Sequence, residues 1–147
     1  MTSGWQFYAT LSAFFAGLTA LFGKLGVVQI NSNLATFIRT VFILVITAGI
    51  VCWRNEWEPL NKLSLRSVTF LGLSGVATGL SWLCYYRALQ LGPASQVAPV
   101  DKLSLVFVIV LAWLFLGETL SWKTAAGGVL VVSGVLLLAT KKTFMIL

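Results

Sequence analysis

Five long apolar segments separated by short polar stretches dominate this chain of 147 residues. They predict helices at about 5–28, 34–53, 66–89, 96–116 and 122–140. Each is close to or above the length of about 20 apolar residues with which a helix crosses a bilayer. Backbone polar groups find no water inside a bilayer, so helices and closed barrels are the structures that span it. The pattern therefore predicts an all-α integral membrane protein with five transmembrane helices.

The polar connections between these segments are short. They lie at 28–33, 54–65, 90–95 and 117–121, and the stretch 54–65 is the longest and the most strongly charged. None of them is long enough to hold a soluble domain. We therefore predict that residues 1–147 form a single transmembrane domain.

Composition supports the membrane assignment and excludes a nucleic-acid binder. The chain is 59% hydrophobic and 10% charged, whereas soluble domains carry about 25% charged residues. The formal net charge is +6, but the ten Lys and Arg residues are scattered along apolar segments. They form no basic stripe of the kind that follows a nucleic-acid backbone. We expect membrane lipid, not nucleic acid, to surround this chain.

The chemistry-bearing residues do not suggest an enzyme. The chain contains no histidine, which removes the commonest general base and metal ligand. Cys52 and Cys84 lie inside apolar segments without metal-binding spacing, so we interpret both as small buried hydrophobic residues. No catalytic triad or phosphate-binding loop is present in the sequence. We expect no catalysis, no metal and no cofactor.

Small residues recur at helical spacing on three of the predicted helices. Because residues three and four apart share one helix face, such stripes allow neighbouring backbones to approach closely. On the first helix the stripe includes Gly23 and Gly26. We predict packing surfaces on the third and fifth helices at Gly72, Gly75, Gly79, Gly127, Gly128 and Gly134.

The fourth segment carries Pro99, Asp101 and Lys102 within four residues, inside an apolar run that ends at Leu116. Ionisable residues inside a membrane span indicate a functional site, and we predict a helix break at Pro99. One alternative is that Lys102 extends to the lipid headgroups while Asp101 caps a helix opened by the proline.

Three predicted helices bring ionisable groups to a similar depth near one membrane face, which we call side B. Lys24, Arg39, Asp101 and Lys102 each lie a few residues from a helix end on that side, about 5–10 Å along the axis at 1.5 Å per residue. Lys24 and Arg39 are candidate partners of Asp101. The alternative is that both cations extend to lipid headgroups.

Aromatic residues mark both ends of the predicted bundle. Trp82, Tyr85 and Tyr86 end the third helix near side B. They form either a wall of a polar cavity or a mixture of core packing and interface anchoring. Near the opposite face, side A, an interfacial belt is predicted at Trp5, Trp53, Trp57, Trp113 and Trp122.

Four stretches resemble the drug/metabolite transporter superfamily, specifically one EamA-type five-helix repeat. They are Gly92-Pro93-Ala94-Ser95, Ala98-Pro99-Val100, the run from Ala112 to Ser121, and Gly127-Gly128 followed by Ser133 to Leu137. The resemblance covers nearly the whole chain. Many members carry two such repeats in inverted orientation, and this chain has one. The Asp101-Lys102 pair differs from the apolar or glutamate-proline sequences of long members and resembles the short, single-repeat branch.

This resemblance implies a secondary transporter of a small metabolite or drug-like solute, acting as a dimer of five-helix repeats. We expect the binding site among helices one to four, with Asp101 and Lys102 at its polar core, since inverted-repeat transporters bind substrate between repeats and at broken helices. The expected location is a prokaryotic inner membrane. The alternative is a non-transporting helper subunit or scaffold of a larger membrane assembly.

Basic residues near the two membrane faces are almost balanced. Side A holds Arg54, Lys62, Arg66 and Lys123, and side B holds Arg87, Lys141, Lys142 and, at the interface, Lys24. Orientation follows an imbalance of such residues, so the chain is expected to insert both ways. We therefore predict an antiparallel homodimer with dual topology. The alternatives are a parallel dimer in one orientation and a heterodimer with an oppositely biased paralogue.

Overall fold

A computed structural model describes residues 4–139, where all regular secondary structure is helical. Five spans in it are long and apolar enough to cross a membrane, and α4 with α5 forms the fourth, Ala94–Leu116. The predicted fold class is thereby confirmed. The helices are α1 Gly4–Gly26, α2 Ser32–Trp53, α3 Leu65–Leu91, α4 Ala94–Asp101, α5 Ser104–Leu116 and α6 Trp122–Ala139, with a 3-10 turn at Leu60–Lys62.

Local side chains set several of the helix ends. The Asn31 side chain accepts a hydrogen bond from the Asn33 backbone N–H at 2.9 Å and caps α2, as the polar turn at 28–33 predicts. Gly117 ends α5 with a left-handed φ of 66°, a conformation that glycine adopts without steric cost. The predicted end of the fifth helix at Thr140, and Lys141 and Lys142 after it, lie outside the described residues.

The fourth span is interrupted three residues later than predicted. Pro99 lies inside α4, and the helix ends only at Asp101. The N–H of Lys102 then bonds to the carbonyl of Pro99, and the N–H of Leu103 to that of Val100, each at 3.0 Å. Proline removes one backbone hydrogen bond from a helix. Here the helix continues through Pro99 and then ends in tighter hydrogen bonds of the 3-10 type.

The chain divides into two compact units, residues 1–91 and 92–147. In the first unit, α1 and α2 both pack against α3. In the second unit, α4 and α5 both pack against α6. The prediction of a single transmembrane domain over residues 1–147 stays a prediction.

Most large apolar side chains lie at the surface, as the two belt tryptophans Trp53 and Trp122 illustrate at 88% and 85% exposure. Lipid tails are as apolar as leucine, so such side chains need no protein neighbours. For the same reason the interpretation of Cys52 and Cys84 as buried residues is wrong, because both are exposed. The buried apolar side chains are Ala20, Val27, Ala35, Tyr86 and Leu89 in the first unit and Val135 in the second.

Gly23 of α1 makes a close contact with a neighbouring helix. A Cβ atom built there would lie 3.2 Å from the Tyr86 hydroxyl oxygen and 3.3 Å from Leu89 Cδ1, both on α3. At Gly128 the nearest atom is Ile109 Cδ1 at 3.6 Å. Within the part of the chain described, a Cβ would meet nothing within 4 Å at Gly72, Gly75, Gly79, Gly127 or Gly134. Packing at those five glycines stays a prediction.

Candidate functional site

The clearest constellation of functional side chains is an arginine held on two aromatic rings, which we call the arginine cluster. Arg39 of α2 places its guanidinium carbon 3.9 Å from the ring centroid of Trp82 and 5.6 Å from that of Tyr86. The two rings stand four residues apart and therefore on one face of α3. Distances below about 6 Å are those of cation–π attraction, so the cluster fixes a positive charge between α2 and α3.

One end of the Arg39 guanidinium is buried without a hydrogen-bond acceptor. Its Nη1 atom has no hydrogen-bond partner among residues 4–139. A guanidinium carries five N–H donors in a fixed planar fork, and a buried donor without an acceptor is costly. The cluster therefore holds a positive charge together with an unused hydrogen-bond donor.

Beside the arginine cluster runs an open groove between α1 and α2 with a volume of about 600 Å³. Arg39 and Tyr86 both line it. Most of the remaining lining is apolar and comes from Phe22, Ile30, Ala35, Ile38 and Phe42. Ligand pockets are typically apolar cavities of about 300–1,000 Å³ with a few placed polar groups. The groove fits this description, with Arg39 as its charged group.

Small residues on α1 give the groove its depth. Gly23 and Gly26 both line it. Because Gly23 has no side chain, Tyr86 reaches α1 and is only 5% exposed. Tyr85, the predicted neighbour of Tyr86 at the site, has its ring centroid 6.2 Å from the Tyr86 ring in an edge-on arrangement. Tyr85 thus contacts an aromatic ring of the arginine cluster.

Lys24 of α1 binds to the last turn of α3. Its Nζ atom donates a hydrogen bond to the carbonyl oxygen of Leu89 at 2.6 Å. Carbonyls in the last turn of a helix have no intrahelical donor, and a lysine side chain supplies one favourably. Lys24 therefore has a structural contact at the end of the first unit, in addition to any role in binding.

A second polar residue at the same end, Gln90, was not among the residues predicted for the site. Its side-chain amide donates to the carbonyl of Ile30 at 3.2 Å, and its side-chain oxygen accepts from Arg87 Nη1 at 2.7 Å. Gln90 thereby connects the end of α3 to the turn between α1 and α2. The only signal in the sequence was an amide side chain beside the apolar end of the third helix.

In the second unit, Asp101 and Lys102 form an ion pair with each other. Lys102 Nζ lies 3.3 Å from Asp101 Oδ2, and the two side chains are 60% and 35% exposed, respectively. The pair stands at the interruption between α4 and α5. Asp101 is the last residue of α4, and no side-chain hydrogen bond caps α5. The alternative that Asp101 caps a helix opened by Pro99 is therefore wrong.

The structure thus groups the predicted site residues by unit. Lys24, Arg39, Trp82 and Tyr86 lie together at one end of the first unit, around the contacts with α3. The predicted approach of Asp101 to Lys24 or Arg39 stays a prediction.

The second unit offers an apolar pocket and a smaller pocket that is bordered by a carboxylate. A pocket of about 290 Å³ lies between α5 and α6, and its lining contains no ionisable side chain. Among residues 4–139, no group of three His, Cys, Asp or Glu side chains is placed to hold a metal ion. The smaller pocket has a volume of about 140 Å³, and Glu118 is part of its lining. The groove of the first unit, at about 600 Å³, is therefore the larger of these two cavities with a charged residue in their walls.

Comparison with known proteins confirms the resemblance drawn from the sequence motifs. The family model described as "EamA-like transporter family" matches residues 3–140. The chain is 52% identical over 139 residues to the "Uncharacterized transporter in cobO 3'region" of Sinorhizobium sp, covering 95% of this chain and 99% of the relative. No solved structure shows significant similarity to the chain.

Two further relatives carry the name of a subunit. A protein of Proteus mirabilis named "Probable 4-amino-4-deoxy-L-arabinose-phosphoundecaprenol flippase subunit ArnF" is 38% identical over 93 residues, which is 59% of this chain and 68% of the relative. The correspondingly named subunit ArnE of Yersinia pseudotuberculosis is 31% identical over 88 residues, which is 60% of this chain and 75% of the relative.

Proposed function

Because the chain belongs to the EamA-like transporter family, we propose that it is one half of a secondary transporter. In this proposal a dimer of five-helix repeats moves a small metabolite or drug-like solute across a prokaryotic inner membrane. The chain is a multi-pass integral membrane protein with five apolar spans. The observation that carries the proposal is the groove between α1 and α2, which has the size of a ligand pocket and a charged side chain in its wall.

A second copy of the chain completes the site in this proposal. Transporters built from inverted repeats bind their substrate at the interface between repeats, near the midplane of the membrane. One chain supplies one repeat, whose groove is open on one side. The interrupted span with Asp101 and Lys102 supplies the second element of such transporters, a broken helix that carries ionisable groups.

The second candidate function is that of a subunit without transport activity of its own. The observation that favours it is the name of the relatives in Proteus and Yersinia, which are described as subunits of a flippase. In that case the chain works beside a different protein, and its own groove contributes only part of a transport path.

Flux through the purified chain separates the two candidates. Compounds that raise the unfolding temperature are selected first, since a ligand that binds the folded state stabilises it. The selected compound is then radiolabelled, and its uptake into liposomes containing only this chain is measured against protein-free liposomes. A transporter accumulates the compound inside the liposomes until the gradient across the liposome membrane that drives its uptake is dissipated. Uptake equal to that of protein-free liposomes would instead identify a helper subunit.

Dual topology is expected to produce partial labelling at both membrane faces. Single cysteines are introduced at Asn61 and at Thr143, a tail position outside the described residues, in a background with the exposed Cys52 and Cys84 replaced by serine. Intact cells are then treated with a membrane-impermeant thiol reagent. Because the basic residues are almost balanced between the two sides, both positions should label in part.

Charge redistribution is the control for the topology experiment. Replacing Lys62 and Lys123 with Gln removes two of the four basic residues of side A, so the tail position should move almost entirely to the cytoplasm. Complete labelling at one position and none at the other in the parent chain would show a single orientation, which contradicts the antiparallel homodimer.

A further inference from the structure

The positive charge of Arg39, which lines the groove, identifies the charge of the ligand that the groove accepts. Nη1 is buried without a partner among the described residues, although the same guanidinium lies over Trp82 and Tyr86. The aromatic faces hold the cation in place but accept no strong N–H hydrogen bond. A guanidinium pairs most favourably with a planar or tetrahedral oxyanion, because its N–H fork matches carboxylate and phosphate oxygens.

The lining of the groove identifies the rest of the ligand. Phe22 of α1 and Ile38 and Phe42 of α2 border the same groove as Arg39. No acidic side chain lines it, so a cationic ligand would find repulsion from Arg39 and no compensating charge. An apolar chain, by contrast, gains the free energy of burial along these side chains. The volume of about 600 Å³ suits a drug-sized ligand.

We propose that the groove between α1 and α2 binds a single-chain anionic amphiphile, with its oxyanion paired with the guanidinium of Arg39 and its apolar chain along Phe22, Ile38 and Phe42. Trp82 and Tyr86 orient the guanidinium and so act as positioning residues. This inference names the substrate class of the proposed transporter and therefore rests on that function. Binding and flux are nevertheless separate measurements, so each can fail alone.

The test uses dodecyl phosphate and the full chain in phosphatidylcholine nanodiscs. Binding is measured as the rise of the unfolding temperature with probe concentration. Dodecanol lacks the charge and inorganic phosphate lacks the chain, so both should bind at least ten-fold more weakly than dodecyl phosphate. Partition of dodecyl phosphate into the bilayer is the same for every variant, so differences between variants report the site.

Arg39→Gln is expected to weaken dodecyl phosphate binding by about ten- to hundred-fold, the loss that accompanies a hydrogen bond to a charged group. Arg39→Lys, which keeps the charge but loses the planar fork, should fall between wild type and Arg39→Gln. The matched control is Arg66→Gln. Arg66 also lies over an aromatic ring, 5.9 Å from the centroid of Phe70, but does not line the groove. Binding should be unchanged in that control.

A steric variant tests the groove without touching Arg39. Gly26 lines the groove, and a Cβ built there meets nothing within 4 Å in the described part of the chain. Gly26→Leu should therefore fill the groove and abolish dodecyl phosphate binding while the ligand-free unfolding temperature stays close to that of wild type. Gly17→Leu adds the same side chain to α1 away from the groove and should leave binding intact.

Two results would overturn the inference. The first is equal affinity of wild type and Arg39→Gln for dodecyl phosphate, which would mean that the oxyanion is not bound by Arg39. The second is equal affinity for dodecyl phosphate and inorganic phosphate, which would mean that the apolar chain does not contribute to binding. Flux of a different solute with no dodecyl phosphate binding leaves the transport function standing and rejects this site. Arg39-dependent binding without flux rejects the transport function alone.

Discussion

Replacing Asp101 with Asn is expected to reduce flux in liposomes to the level of protein-free liposomes, with the protein still folded and inserted. Asp101 ends α4 at the interruption of the fourth span, and its Oδ2 lies 3.3 Å from Lys102 Nζ. Neutralising either residue leaves the other charge without its partner inside a membrane span, where unpaired charges are costly. Lys102→Met should therefore abolish flux as well. The measurement is uptake of the stabilising compound described above.

A charge reversal tests whether transport requires the ion pair itself or a particular charge at each position. Exchanging the two side chains, Asp101→Lys with Lys102→Asp, keeps the pair and should restore part of the flux if the pair itself is required. Glu118→Gln is the matched control, because it neutralises a carboxylate of the same unit outside the helices. Wild-type uptake in both Asp101→Asn and Lys102→Met would show that the pair is not part of the transport path.

Gly23→Leu is expected to destabilise the first unit by about 1–3 kcal/mol, the usual cost of overpacking a filled site. Its Cβ alone would lie 3.2 Å from the Tyr86 hydroxyl and 3.3 Å from Leu89 Cδ1. Tyr86 is 5% exposed and Leu89 is fully buried, so a side chain added at Gly23 must displace two packed side chains of α3. The measurement is the midpoint of thermal unfolding in detergent, which should fall.

The control for Gly23 is Gly17→Leu, six residues earlier on the same helix, where a Cβ meets no described atom within 4 Å. Its unfolding midpoint should match that of wild type. Because Tyr86 stands under Arg39, displacing it in Gly23→Leu should also weaken binding of dodecyl phosphate. Equal midpoints for the two leucine variants would mean that α1 does not pack on α3 at Gly23.

Parts of the candidate site followed from the residues alone. A positive charge inside an apolar segment is visible in any hydropathy pattern, so Lys24 and Arg39 were predictable as polar exceptions, and Trp82 and Tyr86 as one helix face. The contact of Arg39 with both aromatic rings was not predictable, because it depends on the rotation of α2 about its axis relative to α3. The contact of Gln90 with the carbonyl of Ile30 was not predictable for the same reason, since the two residues are 60 positions apart in the chain.

The five spans, the cap at Asn31 and the family can all be predicted from the sequence, because each depends on residues close together in the chain. Hydropathy, turn chemistry and motif spacing are local properties, and the bilayer requires every span to satisfy its own backbone.

Three features became visible in the folded chain alone: the close helix contact at Gly23, the position at which the fourth span is interrupted, and the contacts of Arg39. Several stripes had suitable spacing, yet a Cβ at Gly23 would meet another helix within 3.4 Å, whereas one at any of the predicted packing glycines of α3 and α6 would not. The physical reason is that packing between helices depends on the volumes and rotations of both partners at once, which no single segment contains.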